Sequence, residues 1–128
     1  MVGDETALPA IAGICTSLPA TALGTVILEG PDLPDFRHPI GVDVVRLVRT
    51  DAETPGVRAL AALREQPLPS MPFHAYIAGE QSLASGARRY LVGERGVEKD
   101  RVSFTGYWKL GTSSPASRAS RKAASRPA

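Results

Sequence analysis

The sequence predicts an α/β domain built on an open parallel sheet with flanking helices. Two observations carry this expectation. Short β-rich runs alternate with amphipathic helical stretches, the pattern of repeated βαβ units. The composition, 43% hydrophobic and 22% charged over 128 residues, suits one globular domain with a real core.

A stub, Met1–Gly3, opens the chain, followed by Asp4, Glu5 and Thr6. Leu8, Ile11, Ala12 and Cys15 then recur at one-face helical spacing. Asp4 or Thr6 suits the cap of that helix, and Pro9 is tolerated only in its first turn, so the start is expected near Glu5–Thr6. Thr25–Leu28 is a continuous β-rich run, as in a strand buried on both faces. The stretch from Gly30 to Gly41 reads as a loop, and Val42–Val48 as the next strand. Val57, Leu60, Ala61 and Leu63 suggest a short helix over Val57–Leu63. After a break at Leu68–Pro72 comes a strand over Phe73–Ala78, closed by Gly79 and Glu80. Leu83, Ala87, Tyr90 and Leu91 line one side of a helix over Ser82–Arg95, with Gly96 as its C-cap. Arg101–Thr105 is the last strand and runs into Gly106–Gly111. The Ser/Ala/Arg stretch over 112–128 reads as a disordered basic tail.

Ligands of open parallel sheets bind at the carboxyl ends of the strands, where the strand order reverses. Two turns occupy such places: Gly3-Asp4-Glu5-Thr6 and Ala78-Gly79-Glu80. The stub is short for a strand, which normally needs about five residues. The first strand is therefore expected to be truncated.

Several function classes are disfavoured. No apolar run is long enough for a membrane span, and no signal peptide opens the chain. One cysteine forms no internal disulfide and no Cys-rich zinc site, so a reducing, cytoplasmic setting fits best. Cys15, on the apolar helix face, reads as a buried thiol rather than a nucleophile. His38 and His74 have no second ligand at metal spacing, so no metal is expected. Ser82 and Ser85 lack a His/Asp partner motif, which argues against hydrolase chemistry. The net charge of +2 comes from Arg118, Arg121, Lys122 and Arg126. Without them, residues 1–111 carry two more acids than bases. A nucleic-acid partner is accordingly not expected, although a small binding protein acting through the tail is an alternative.

GDETALPAIAGI at Gly3–Ile14, AYIAGEQS at Ala75–Ser82, ARRYLVGERGVEKDRV at Ala87–Val102 and FTGYWKLG at Phe104–Gly111 occur in this order. Together they resemble the C-terminal, NAD(P)H-binding half of the siderophore-interacting proteins, over roughly Val2 to Gly111. The resemblance implies a ferredoxin-reductase-like sheet of order 3-2-1-4-5. It also implies a reductase that passes hydride from NADPH or NADH to FAD, and then electrons to a ferric siderophore. The FAD-binding barrel of that family has no counterpart here, so FAD is expected only through a flavin domain outside this chain. A non-catalytic truncated fragment is the alternative.

Residues at the strand ends have two readings each. Asp4, Glu5, Thr6 and Ala7 either contact the nucleotide, with a pyrophosphate on the helix N-terminus, or cap the helix. Gly79 and Glu80 either approach the nicotinamide ribose or form a turn and a helix-starting acid. Glu29 and Arg49 suit a ribose hydroxyl and a 2′-phosphate, but solvated loop charges are the simpler reading. Tyr107, Trp108 and Lys109 would lie near the flavin and an anionic chelate if the resemblance holds. Otherwise Trp108 packs the sheet end and Lys109 is solvated.

Overall fold

The computed structural model describes residues 1–111. The tail reading, over 112–128, lies outside the described residues. Five strands form one parallel sheet: β1 (Val2–Asp4), β2 (Gly24–Gly30), β3 (Val42–Val48), β4 (Ala75–Glu80) and β5 (Val102–Trp108). Their order is β3-β2-β1-β4-β5, as expected. The helices are α1 (Leu8–Ser17), α2 (Val57–Glu65) and α3 (Gln81–Arg89).

The central strand β1 has only three residues, yet it pairs on both sides. Val2 stands opposite Ile27 of β2 and Ile77 of β4. All three β1 residues are buried. The strand extends one residue further than the stub, through Asp4. Gly3 permits the tight packing beside it. A Cβ there would lie 2.8 Å from Ala7 Cβ and 3.0 Å from Ile11 Cδ1, so α1 sits directly on the strand.

Side-chain alternation divides the core in two. On one face Ile11, Ala7 and Cys15 of the α1 region pack with Val26, Leu28 and Ala78, joined by Leu33 and Phe36 from the loop after β2. On the other, Ala59, Leu63, Leu83, Ala87, Tyr90 and Leu91 of the α2 and α3 regions pack on Val2, Ile27 and Ile77. Each fully buried Leu or Ile contributes about 2 kcal/mol. Helices thus seal both faces of the central strands.

The helix boundaries shift from those expected. A 3-10 turn over Glu5–Ala7 precedes α1, so the regular helix begins at Leu8. Asp4 caps that turn rather than the α-helix. In α2, Ala59 and Leu63 face the core, while Val57 is exposed. The third helix ends sooner than Arg95. After Arg89 it widens into a π turn, with Arg95 N–H donating to Tyr90 O at 3.0 Å. Strand β4 starts at Ala75, not Phe73, and includes Gly79 and Glu80. They are strand because they pair across to Gly106 and Trp108 of β5, around a bulge. This long-range pairing overrides the local turn signal of glycine.

The two sheet edges differ. Strand β3 carries Asp43 and Arg46, and Arg46 is held by Asp35 at 2.9 Å. Strand β5 carries no charged residue and is exposed over most of its length.

Candidate functional site

The carboxyl edge of the sheet gathers four acids within or just after the strand ends. Three are almost fully buried: Asp4, Glu29 and Glu80. Each is bonded at the start of a helical segment, where backbone N–H groups lack intrahelical partners.

Asp4 takes four donors. Its Oδ1 accepts from the Thr6 N–H at 3.0 Å and from the Thr6 hydroxyl. Its Oδ2 accepts from the Glu80 N–H at 2.7 Å and the Trp108 indole N–H at 3.0 Å. One carboxylate thus ties β1 to β4, to the end of β5 and to its own following turn. Gly79 makes the approach possible. Its φ is +136°, and a Cβ there would lie 2.6 Å from the Asp4 carboxylate. Glu80 caps α3, accepting from Ser82 N–H at 3.0 Å and Leu83 N–H at 3.3 Å through Oε1. Its Oε2 accepts from Leu110 N–H at 3.2 Å.

Glu29 caps α2 from a distance of 27 residues in sequence. Its Oε2 accepts from Gly56 N–H at 2.6 Å and its Oε1 from Ala59 N–H at 2.9 Å. Arg49, just past β3, completes this cluster. Its Nη1 donates to Glu29 Oε2 at 2.8 Å and its Nη2 to Glu5 Oε2 at 2.7 Å. Desolvation opposes the Arg49 charge, but hydrogen bonds and attraction from Glu29 and Glu5 outweigh it, so its pKa lies above the ordinary arginine value. The reading of Glu29 and Arg49 as solvated loop charges is therefore corrected: the Glu29 side chain is fully buried and only 9% of Arg49's is exposed.

Glu5 differs from the other three acids. Its Oε2 binds Arg49, while its Oε1 is buried without a hydrogen-bond partner. It lies against Gly30, where a Cβ would come within 2.9 Å of Glu5 Cβ.

The expected site residues thus fall into groups. Asp4, Thr6, Gly79, Glu80 and Trp108 come together, and Glu5 belongs to the neighbouring Arg49–Glu29 cluster. Ala7 is core, its side chain packed beside Gly3. Lys109 is exposed. Tyr107 bonds Tyr76 hydroxyl to hydroxyl at 3.0 Å, and this contact, with burial, pushes the Tyr76 pKa up to about 12. Cys15 is buried, and desolvation raises its thiol pKa. Sequence reading did not foresee the Glu5–Arg49–Glu29 bridge. Its members lie 20 and 44 residues apart, and only their common place at strand ends hints at it.

Chemically, the edge offers an open platform. A cavity of about 130 Å³ lies between the starts of α2 and α3, lined by Gly56, Val57, Leu83 and Leu110. Small-molecule sites usually span about 300–1,000 Å³, so this cavity alone does not enclose a dinucleotide. A larger groove of about 300 Å³ runs between α3 and β5, lined by Arg88, Arg89 and Phe104. It lies away from the strand-end acids. Among the described residues, no cluster of three His, Cys, Asp or Glu is placed to hold a metal. No described helix is long and apolar enough to cross a membrane.

The sequence model of the family described as siderophore-interacting protein matches residues 1–111, the whole described domain. The chain belongs to the siderophore-interacting protein family. Among its curated relatives is the ferric vibriobactin reductase ViuB of Vibrio cholerae. The two are 33% identical over 116 residues, covering 87% of this chain and 42% of ViuB. The siderophore-interacting protein SipS of Aeromonas hydrophila superimposes with a TM-score of 0.75 at 32% identity, covering 85% of this chain and 49% of that one. A siderophore utilization protein from T. fusca gives 0.76 at 32% identity, with 88% and 44% covered. The chain thus spans less than half the length of these siderophore-interacting relatives.

Proposed function

We propose that this chain is the NAD(P)H-binding part of a flavin-dependent ferric-siderophore reductase working in the cytoplasm. The supporting observation is the reversal of strand order between β1 and β4, the crevice where parallel sheets receive ligands. Family membership and the name of ViuB support the reductase assignment.

The residues present fit a nicotinamide nucleotide in one respect that the structure itself offers. Glu5 Oε1 is an orphaned acceptor at the strand ends, and a ribose hydroxyl is a donor that would satisfy it. Asp4 and Glu80 have their oxygens bonded within the protein, so their part is to fix the crevice walls. The Thr6 N–H is already held by Asp4, and a pyrophosphate at that turn would meet the carboxylate. The nucleotide phosphates are therefore excluded from the Thr6 turn. When bound, NADPH or NADH would supply a hydride for FAD, held by a flavin domain of the family. The platform is open because that partner domain forms its opposite wall. Trp108, held by Asp4, positions the turn that carries Lys109, where a cation attracts an anionic ferric siderophore.

Two-dimensional NMR of the chain with added NADPH and then NADH tests this reading. Shifts concentrated at residues 4–7 and 79–81 are expected. Spectra unmoved by either nucleotide would remove the binding assignment. Ferric-siderophore reduction is expected only when a flavin domain of the family is added. Its absence in that mixture, despite nucleotide binding, would favour a non-catalytic fragment.

A further inference from the structure

We infer that the edge selects the nucleotide without a 2′-phosphate, NADH over NADPH, because Arg49 is locked by Glu5 and Glu29. The inference rests on the nucleotide-binding reading above and narrows its ligand.

A 2′-phosphate is close to a dianion and needs a cation with free donors. In dinucleotide folds, an arginine near the strand ends accommodates it, whereas an acid there takes the bare ribose hydroxyl. Here Arg49 stands in the arginine's place, but each of its terminal nitrogens already faces a carboxylate, at 2.8 and 2.7 Å, which offsets its charge. Only 9% of its side chain is exposed. The next cation, Arg58, donates to Val48 O at 2.6 Å and faces Glu53 Oε2 at 3.7 Å. Asp51 lies in the same loop, between β3 and α2. The immediate surroundings thus hold Glu5, Glu29 and Glu53 against Arg49 and Arg58. A second phosphate meets a surface with more acids than bases. The one unsatisfied group, Glu5 Oε1, is an acceptor and suits a hydroxyl. Glu5 therefore acts twice: it withholds Arg49 from phosphate and offers an oxygen to the ribose.

The test compares 5′-AMP with 2′,5′-ADP, which differ only in the 2′-phosphate, by calorimetry and NMR titration on the full chain. We expect 5′-AMP to bind more tightly by about tenfold, the scale of one charge contact in water. Glu5→Gln replaces the Arg49–Glu5 ion pair with a neutral contact and deletes one negative charge, so the ratio should fall toward unity. Glu5→Asp keeps the charge and should preserve most of the preference, which guards against a variant that merely misfolds. Equal or tighter binding of 2′,5′-ADP by the unaltered chain overturns the inference while leaving nucleotide binding intact. So does a ratio that Glu5→Gln leaves unchanged. Binding of neither ligand overturns the nucleotide reading itself, and this inference with it.

Discussion

The two ends of β1 each bury an ionisable group, and they do so in opposite ways. At the carboxyl end, Asp4 is fully buried and accepts four hydrogen bonds. At the amino end, the Met1 ammonium donates to Thr25 O at 2.7 Å, and among the described residues no carboxylate pairs with it. Burial lowers the pKa of this amine from 8.0 to about 6, a shift that the nearby Cys15 only partly offsets. A buried ammonium with a single acceptor gives up its proton more readily than one in water.

The sharpest way to break this contrast is Asp4→Ala. It strands the Glu80 N–H, the Thr6 N–H and the Trp108 indole N–H, and should cost about 4 kcal/mol in urea denaturation. Gly79→Ala attacks the same knot from the other side. It forces a side chain onto a φ of +136° and into the Asp4 carboxylate, for an expected loss of about 3 kcal/mol by the same assay.

The amino end is probed by pH. Between pH 6 and 8 the unfolded amine is protonated and the folded one is not, so unfolding takes up a proton. Stability should therefore rise from pH 6 to pH 8, by up to about 2–3 kcal/mol, and fall again as the pH is lowered. Thermal melts of the chain with Met1 retained would show this, and acetylating the amine should remove the contribution. The smallest effect belongs to Glu5→Gln. Its carboxylate is partly solvated, so the loss should be about 0.5 kcal/mol even though the nucleotide preference moves.

Much of the fold was legible because its signals are local. The runs Thr25–Leu28 and Val42–Val48 lie within strands, and Leu83, Ala87, Tyr90 and Leu91 do face the core. The strand order came from the resemblance, not from periodicity. The misplaced boundaries have two causes. Gly79 and Glu80 look like a turn but pair with β5, and the α3 region relaxes into a π turn that no capping rule announces. At the site, the choice between ligand contact and helix cap was visible for Asp4 and Glu80, and the structure shows both as caps. The partners of Glu29 and Arg49 were not visible. A bond between residues 20 apart depends on β2 and β3 ending side by side.

The uncharged edge of β5 has a practical consequence for anyone purifying this chain. Its outer backbone groups and exposed Phe104 form a template onto which a second strand of any origin can add. The lysine and proline gatekeepers that usually guard such edges are missing from Val102–Trp108, whereas Asp43 and Arg46 guard the opposite margin. Concentrated stocks should therefore cloud first through β5. A single lysine at Thr105 is the least invasive change that would keep them clear.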